Sequence, residues 1–238
     1  MVKRGSVNYG EVYHSRIPGY LDSTAYFGNN WKSKAPGIGY ILGKQPDISF
    51  LDNYSKRGLL TRDSTFNLLF TQSYDQKLSI QAQLEPIKEF IIDLNLDKTY
   101  TKNFSELFKD TTGRAGLAHL SPYATGGFSV SFIAFNTLFE KYNPNELSAT
   151  FKRFQDNRAV ISQRLYNLNP YSSGGKGLDG YYKGYGRYSQ EVLIPAFIAA
   201  YTKKDPNSVA LIDNNNSKIN NNPFRGIKPK PNWKVNFT

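Results

Sequence analysis

The chain has 238 residues, with Lys plus Arg 30 against Asp plus Glu 19 and a formal net charge of +11. Only 39% of residues are hydrophobic, and no apolar run approaches the ~18–20 residues of a spanning helix, so helical membrane proteins are excluded. Cys is 0 and His only 2, which removes disulfide frameworks, thiol catalysis, Cys-ligated metals and multi-histidine sites.

With Tyr 17 and Phe 16, the chain is too aromatic for a disordered tail. The cations are spread along it, which describes a solvated basic surface better than an acidic-partner patch. The opening Met1-Val2-Lys3-Arg4-Gly5-Ser6 has no apolar run behind its basic residues, so no signal peptide is expected in this chain. Residues 1–60 are rich in Gly, Pro, Asn, Ser and Tyr. Turn signals at Pro18-Gly19 and Pro36-Gly37 make this part read as loop-rich extended segments.

Residues 61–137 read as antiparallel strands. In the first arm Leu78, Ile80, Ala82 and Leu84 alternate with Lys77, Ser79, Gln81 and Gln83. In the second, Phe90, Ile92, Leu94 and Leu96 are set against Asp93, Asn95 and Asp97. Pro86, without an N–H and with a fixed φ, puts the turn within Glu85-Pro86-Ile87-Lys88-Glu89. Each arm is close to the ~9–11 residues of a tilted transmembrane strand, but hairpin periodicity alone favours a half-exposed sheet on a soluble core. A third alternation runs Phe128, Val130, Phe132, Ala134.

Residues 138–206 read as a two-helix insertion. Asn143-Pro144-Asn145-Glu146 has the residues of a capping box, and Leu147, Phe151, Phe154, Ile161 and Leu165 then share one helical face. A second helix starts at Ser189 and runs to Tyr201, after a Gly/Tyr-rich loop from Pro170 to Tyr188. Residues 207–230 form an Asn-rich linker. From 231 to 238 a further strand starts, Trp233-Lys234-Val235-Asn236-Phe237-Thr238, which suggests a piece of a longer protein.

Signals for chemistry are weak. Ser173-Gly174-Gly175-Lys176-Gly177 lacks the spacing and the flanking strand and helix of a phosphate loop. Tyr181-Tyr182-Lys183-Gly184-Tyr185-Gly186-Arg187-Tyr188 interleaves rings and cations, yet the rings lie among glycines rather than on a rigid sheet. A surface or membrane-interface loop fits it better than a nucleic-acid platform. Asp93 and Asp97 on one strand face would stand ~13 Å apart, beyond the ~6.5–9.5 Å of an inverting glycosidase pair. His14 and His119 have no catalytic signature around them.

Several strings are similar to one family. They are Leu60-Thr61-Arg62-Asp63-Ser64, Leu84-Glu85-Pro86, Asp97-Lys98-Thr99-Tyr100-Thr101-Lys102-Asn103 with Ser105-Glu106, and Pro122-Tyr123-Ala124-Thr125-Gly126 with Phe128-Ser129-Val130-Ser131-Phe132. In the helices they are Asn157-Arg158-Ala159-Val160-Ile161-Ser162-Gln163-Arg164-Leu165 and, most specific, Ser189-Gln190-Glu191-Val192-Leu193-Ile194-Pro195-Ala196-Phe197, with Pro231-Asn232-Trp233 last. Together they resemble the SprA/Sov family, the giant outer-membrane β-barrel translocon of the type IX secretion system. Its members are several-fold longer, so the resemblance implies a segment of such a barrel.

What it implies is a mainly β fold with a helical insertion: antiparallel strands forming part of a large outer-membrane β-barrel wall, plus two amphipathic helices. Leu78, Ile80, Ala82, Leu84, Phe90, Ile92, Leu94 and Leu96 would face lipid; Lys77, Ser79, Gln81, Gln83, Asp93, Asn95 and Asp97 would line the lumen. The implied function is protein export and gliding motility. Expected partners are outer-membrane lipid, the rest of the barrel chain, secreted cargo proteins and secretion-system subunits, with no nucleic acid, cofactor, metal or catalytic residue. The alternative reading is a secreted or surface glycan-binding β-domain, whose Tyr and Trp rings would stack on sugars.

Overall fold

The computed structural model describes residues 1–47, 49–111, 116–133, 135–137, 140–141, 143–212 and 222–237. The chain forms two compact units, one of Met1–Ser131, Asn214–Asn222 and Pro229–Thr238, the other of Phe132–Asp213 and Pro223–Lys228. Ala134 of the third alternation, and the asparagines 214–216 and 220–221 of the expected linker, lie outside the described residues.

The first unit is built on one antiparallel sheet of five strands: β1 (Val2–Arg16), β2 (Phe70–Ile87), β3 (Phe90–Lys109), β4 (Ala118–Val130) and β5 (Asn232–Phe237). The order is β1-β2-β3-β4, with β5 also paired to β3. The sheet is not closed: among the described residues β1 pairs only with β2, while β4 and β5 pair only with β3. At ~3.3 Å per residue the 18 residues of β2 span about 60 Å, well beyond the expected nine-residue arm.

The hairpin turn falls at Lys88-Glu89, with Glu89 at φ +68°, a conformation that non-glycine residues adopt mainly in tight turns. Pro86 lies inside β2, at a register irregularity between Leu84 and Ile87 where its missing N–H breaks no regular ladder. The apolar alternation is resumed across that irregularity, because Ile87 pairs with Phe90.

Two features of residues 1–60 depart from the loop-rich expectation. β1 is a single strand of 15 residues; Gly5 and Gly10 dilute its alternation. The short helices α1 (Ile38–Ile41) and α2 (Ser49–Lys56) also lie there. In α2, Leu51 and Tyr54 are buried one turn apart, Asp52 sits in the first turn and Lys56 in the last, matching the helix dipole. Gly58, at φ +69°, lets the chain reverse after the helix so that the Leu59 N–H reaches the Tyr54 carbonyl at 3.0 Å.

The segment 17–69 lies over the Phe70–Tyr74 end of the sheet. Ala35, Leu51, Tyr54, Leu59, Leu60 and Phe70 form its core, with Phe104, Phe108 and Leu117 packed against them. Hydrogen bonds hold it down: Gln45 Nε2 donates to the carbonyls of His14 (2.9 Å) and Ser73 (2.6 Å), and Gln72 Nε2 to that of Pro46 (3.0 Å). The Tyr40 hydroxyl reaches the Ser15 carbonyl at 2.8 Å. Burial pushes the Tyr54 phenol up to about 12, and it donates to the Pro36 carbonyl at 2.6 Å.

The second unit is helical. α3 (Ala149–Leu168) packs on α4 (Gln190–Thr202) through Ile161, Leu165, Val192, Ala196 and Ala199, joined by Val209. The alanines let the two backbones approach closely. The N-cap of α3 is Ser148, whose hydroxyl accepts the Phe151 N–H at 3.1 Å, not Asn143; Asn143 instead closes its own turn on the Asn145 N–H. Leu147 is correspondingly exposed, and Phe151 is half-exposed rather than buried. α4 starts where expected, with Ser189 as N-cap, and carries the fully buried Pro195 inside it. Among the described residues no helix is long and apolar enough to cross a membrane, which says nothing of strands.

Candidate functional site

The alternation places the fifteen residues expected to face lipid or lumen on opposite faces of one sheet, and the pairing extends both sets across its strands. On the first face the rows read Val2–Leu84–Ile92–Val235, Gly5–Ala82–Leu94–Trp233, Val7–Ile80–Leu96 and Tyr9–Leu78–Lys98–Val130. Ile87 and Phe90 close the series at the turn. Val7 is 68% exposed, Tyr9 61%, Trp233 45% and Val235 39%, so this band presents apolar surface on its outer strands as well as at its centre. Leu78, Ile80, Ala82, Leu84, Phe90, Ile92, Leu94 and Leu96 are themselves partly exposed.

The band ends at a polar boundary. Glu11 accepts from the hydroxyls of Tyr9 and Tyr13, from Tyr74 at 3.0 Å and from Gln76 Nε2 at 3.1 Å. Beyond it begins the half of the face covered by residues 17–69, where charge is buried. Glu106, fully buried, binds His119 Nδ1 at 2.8 Å, and His119 Nε2 lies 3.3 Å from Asp52 of α2, tying that helix to the sheet.

The second face is polar along almost its whole length. Its rows are Arg4–Gln83–Asp93–Lys234, Ser6–Gln81–Asn95–Asn232, Asn8–Ser79–Asp97, Gly10–Lys77–Thr99–Ser129, Val12–Asp75–Thr101–Gly127, His14–Ser73–Asn103–Thr125 and Arg16–Thr71–Ser105–Tyr123. Lys77, Ser79, Gln81, Gln83, Asp93, Asn95 and Asp97 are therefore neighbours, as their sequence spacing predicts. Several pair directly: Ser79 Oγ donates to Asp97 at 2.7 Å, and Gln83 Nε2 to Asp93 at 2.9 Å, whose other oxygen accepts from Asn236 at 3.3 Å.

Three shallow depressions of about 380, 420 and 780 Å³ lie along this face. The 420 Å³ depression is lined by His14, Arg16, Asn103 and Tyr123 among others, with no acidic residue among the described ones that line it. Sequence reasoning missed the contribution of β1 to both faces. The signal was the run Ser6-Val7-Asn8-Tyr9, which alternates between flanking glycines. Among the described residues no group of three His, Asp or Glu side chains is placed to hold a metal ion.

β4 and β5 together face β3 as one line of chain. β4 pairs with Lys98–Lys109 and β5 with Phe90–Asn95. At the junction Asp97 and Ser131 exchange bonds, Ser131 N to Asp97 O at 2.7 Å and Asp97 N to Ser131 Oγ at 3.0 Å. The returning chain docks there too, Lys230 N to Ser131 O at 2.9 Å. The expected further strand is thus the continuation of the fourth strand, and the helical unit is inserted within it.

No protein-family model matches the chain, and no curated protein matches it.

Proposed function

We propose that the chain forms part of the wall of a large outer-membrane β-barrel, a protein-conducting channel serving protein export and gliding motility, as the resemblance to the SprA/Sov family implies. The observation that carries the membrane reading is the partly exposed apolar band opposite a polar face. From Leu78 to Ile87 the band is about 30 Å long at ~3.3 Å per residue, or ~21 Å along the bilayer normal at a 45° tilt. Outer-membrane barrels present an apolar band of ~25 Å with aromatic rings at its borders. Here Tyr9 stands at one border and Phe90 at the other.

The two edges to which no other described strand pairs, that of β1 and that of the β4–β5 line, support the same reading. An open edge in lipid would strand its N–H and C=O groups, so both edges call for neighbouring strands, supplied by the rest of a barrel chain. The opposite face, with Ser79, Gln81, Gln83, Asn95 and Asp97 at its centre, is a hydrated wall on which a passing protein finds little to adhere to. This reading gives the chain no chemistry of its own, so the energy for transport comes from other subunits.

The test is cysteine labelling in intact outer membranes, with single replacements in the full-length protein. Ile80→Cys is expected to react with a lipid-soluble maleimide and resist a charged one; Gln81→Cys is expected to react with the charged reagent. Equal labelling of both by the charged reagent overturns the membrane reading. It would promote the glycan-binding β-domain, which one observation favours: the 420 Å³ depression where the exposed ring of Tyr123 stands beside Arg16, His14 and Asn103.

A further inference from the structure

The loop joining α3 to α4 is built as a rigid platform. Ser162, fully buried on α3, accepts the Tyr182 N–H at 2.9 Å and donates to the Tyr185 carbonyl at 2.7 Å. Asn169 Nδ2 reaches the Tyr185 hydroxyl at 3.0 Å, and the Tyr166 hydroxyl accepts the Gly175 N–H at 3.1 Å. Lys183 N bonds to the Gly175 carbonyl at 3.0 Å, and Gly177 N to that of Tyr181 at 2.7 Å. Gly174, at φ +88°, holds a left-handed backbone conformation that residues with a side chain rarely adopt. The loop is held by α3 and by its own bonds.

What this platform displays is apolar and cationic. Leu178, at the tip of the turn closed by the Gly177–Tyr181 bond, is fully exposed; Tyr171 is 91% exposed and Tyr188 78%. Lys176, Lys183 and Arg187 are exposed around them. The loop's one acid, Asp179, accepts the Tyr181 N–H at 3.1 Å within the turn.

We infer that this loop is an anchor for an anionic lipid surface, with Leu178, Tyr171 and Tyr188 entering the headgroup region and Lys176, Lys183 and Arg187 pairing with lipid phosphates. The inference rests on the outer-membrane reading above for the bilayer it would meet. Two features favour lipid over nucleic acid. The leading apolar group is an aliphatic Leu, which offers no stacking face. Two of the loop's four adjacent rings are held within it, which breaks up a stacking platform: Tyr181 is buried beneath Arg187, and Tyr182 packs on Tyr166 with ring centroids 4.9 Å apart. Exposed tyrosines with neighbouring cations are the composition of interfacial anchors.

The test uses the chain itself, whose lack of cysteine makes one introduced thiol unique. Leu178→Cys is labelled with an environment-sensitive fluorophore and mixed with vesicles of phosphatidylcholine alone or with phosphatidylglycerol added. Lipids spin-labelled near the headgroup serve as quenchers. Quenching is expected in the anionic vesicles, much less in the neutral ones, and to weaken in about 1 M salt, where screening acts within ~3 Å. Lys152→Cys, on the exposed side of α3, is the control that should stay unquenched.

Replacing Lys176 and Lys183 by Gln should weaken the partition about 25-fold, at roughly fivefold for each cation near an anionic surface. An unquenched probe at 178 overturns the inference, and so does equal quenching in both vesicle types. The maleimide labelling of Ile80→Cys in the full-length protein separates the two readings. If Ile80→Cys takes only the lipid-soluble reagent while the probe at 178 is unquenched, the anchor fails and the barrel wall stands. If Ile80→Cys takes the charged reagent while the probe at 178 is quenched, the barrel wall fails and the anchor stands.

Discussion

Replacing Ser162 by Ala removes a single oxygen and strands two backbone groups. The Tyr182 N–H loses its acceptor at 2.9 Å and the Tyr185 carbonyl its donor at 2.7 Å, both beside a residue with no exposed surface. Each stranded group costs ~1–3 kcal/mol, nearer ~1 where water reaches it, so with one group hydrated and the other dry the pair costs about 2–4 kcal/mol. That cost should fall on the loop and not on the helix pair, because Ile161, Leu165, Val192, Ala196 and Ala199 keep their packing. The assay is amide hydrogen exchange on the full chain. Protection of the Tyr182 amide should drop about 30- to 1,000-fold, following the local opening free energy, while amides in the middle of α3 change little. Undiminished protection at Tyr182 would refute the idea that the hydroxyl pins the loop. A collapse of protection throughout α3 would refute the separation of loop from helix pair.

Ile161→Ala, at a fully buried site between α3 and α4, should cost about 2–5 kcal/mol in a denaturant melt, whereas Leu147→Ala, at a 68% exposed site, should stay within ~0.5 kcal/mol. Gly126→Ala should destabilise the β3–β4 pairing by about 1–3 kcal/mol, because the new Cβ would meet the Thr101 carbonyl oxygen at 2.5 Å; Gly10→Ala, with open space around it, is the control with near-normal melting. The hydroxyl of Thr150, followed by Arg153 and Lys203, holds the Glu140 carboxyl at about 2. Since folding lowers this group below its ordinary 4.5, its contribution is complete above that pH and fades as pH falls toward 2. The stability gap between the wild type and Glu140→Gln should therefore be flat above pH ~5 and shrink in acid; a gap that widens in acid would contradict the assignment.

Local alternation explains what was legible. A strand exposes one face to each environment every second residue, so the pattern from Lys77 to Leu96 is read without knowing any partner. Gly5 and Gly10 supply no side chain to either face, and β1 lost its signature to them. Eight residues are too few for a helical period to stand out, which hid α2 in a stretch rich in turn formers. The cap of α3 lies five residues beyond the one expected. Asn143-Pro144-Asn145-Glu146 has suitable residue types, but the helix begins after Ser148, whose hydroxyl meets the Phe151 N–H. Burial of Glu106 beside His119, and the meeting of β4 with β5, depend on segments distant in the chain and leave no local trace.

The split fourth strand imposes an order in time. When β4 has paired, the half of β3 from Phe90 to Asn95 still lacks the partner that completes it, because Asn232–Phe237 lies about 100 residues further along the chain. Until that segment pairs, the row carrying Ile92 and Leu94 is an uncovered edge, the condition under which strands pair with the wrong neighbour. Folding of α3 and α4 in the meantime shortens the effective span, since a compact insert returns its two ends close together. The bond from Lys230 to Ser131 marks where the two ends of the insert meet, and a folded insert lowers the entropic cost of bringing them there.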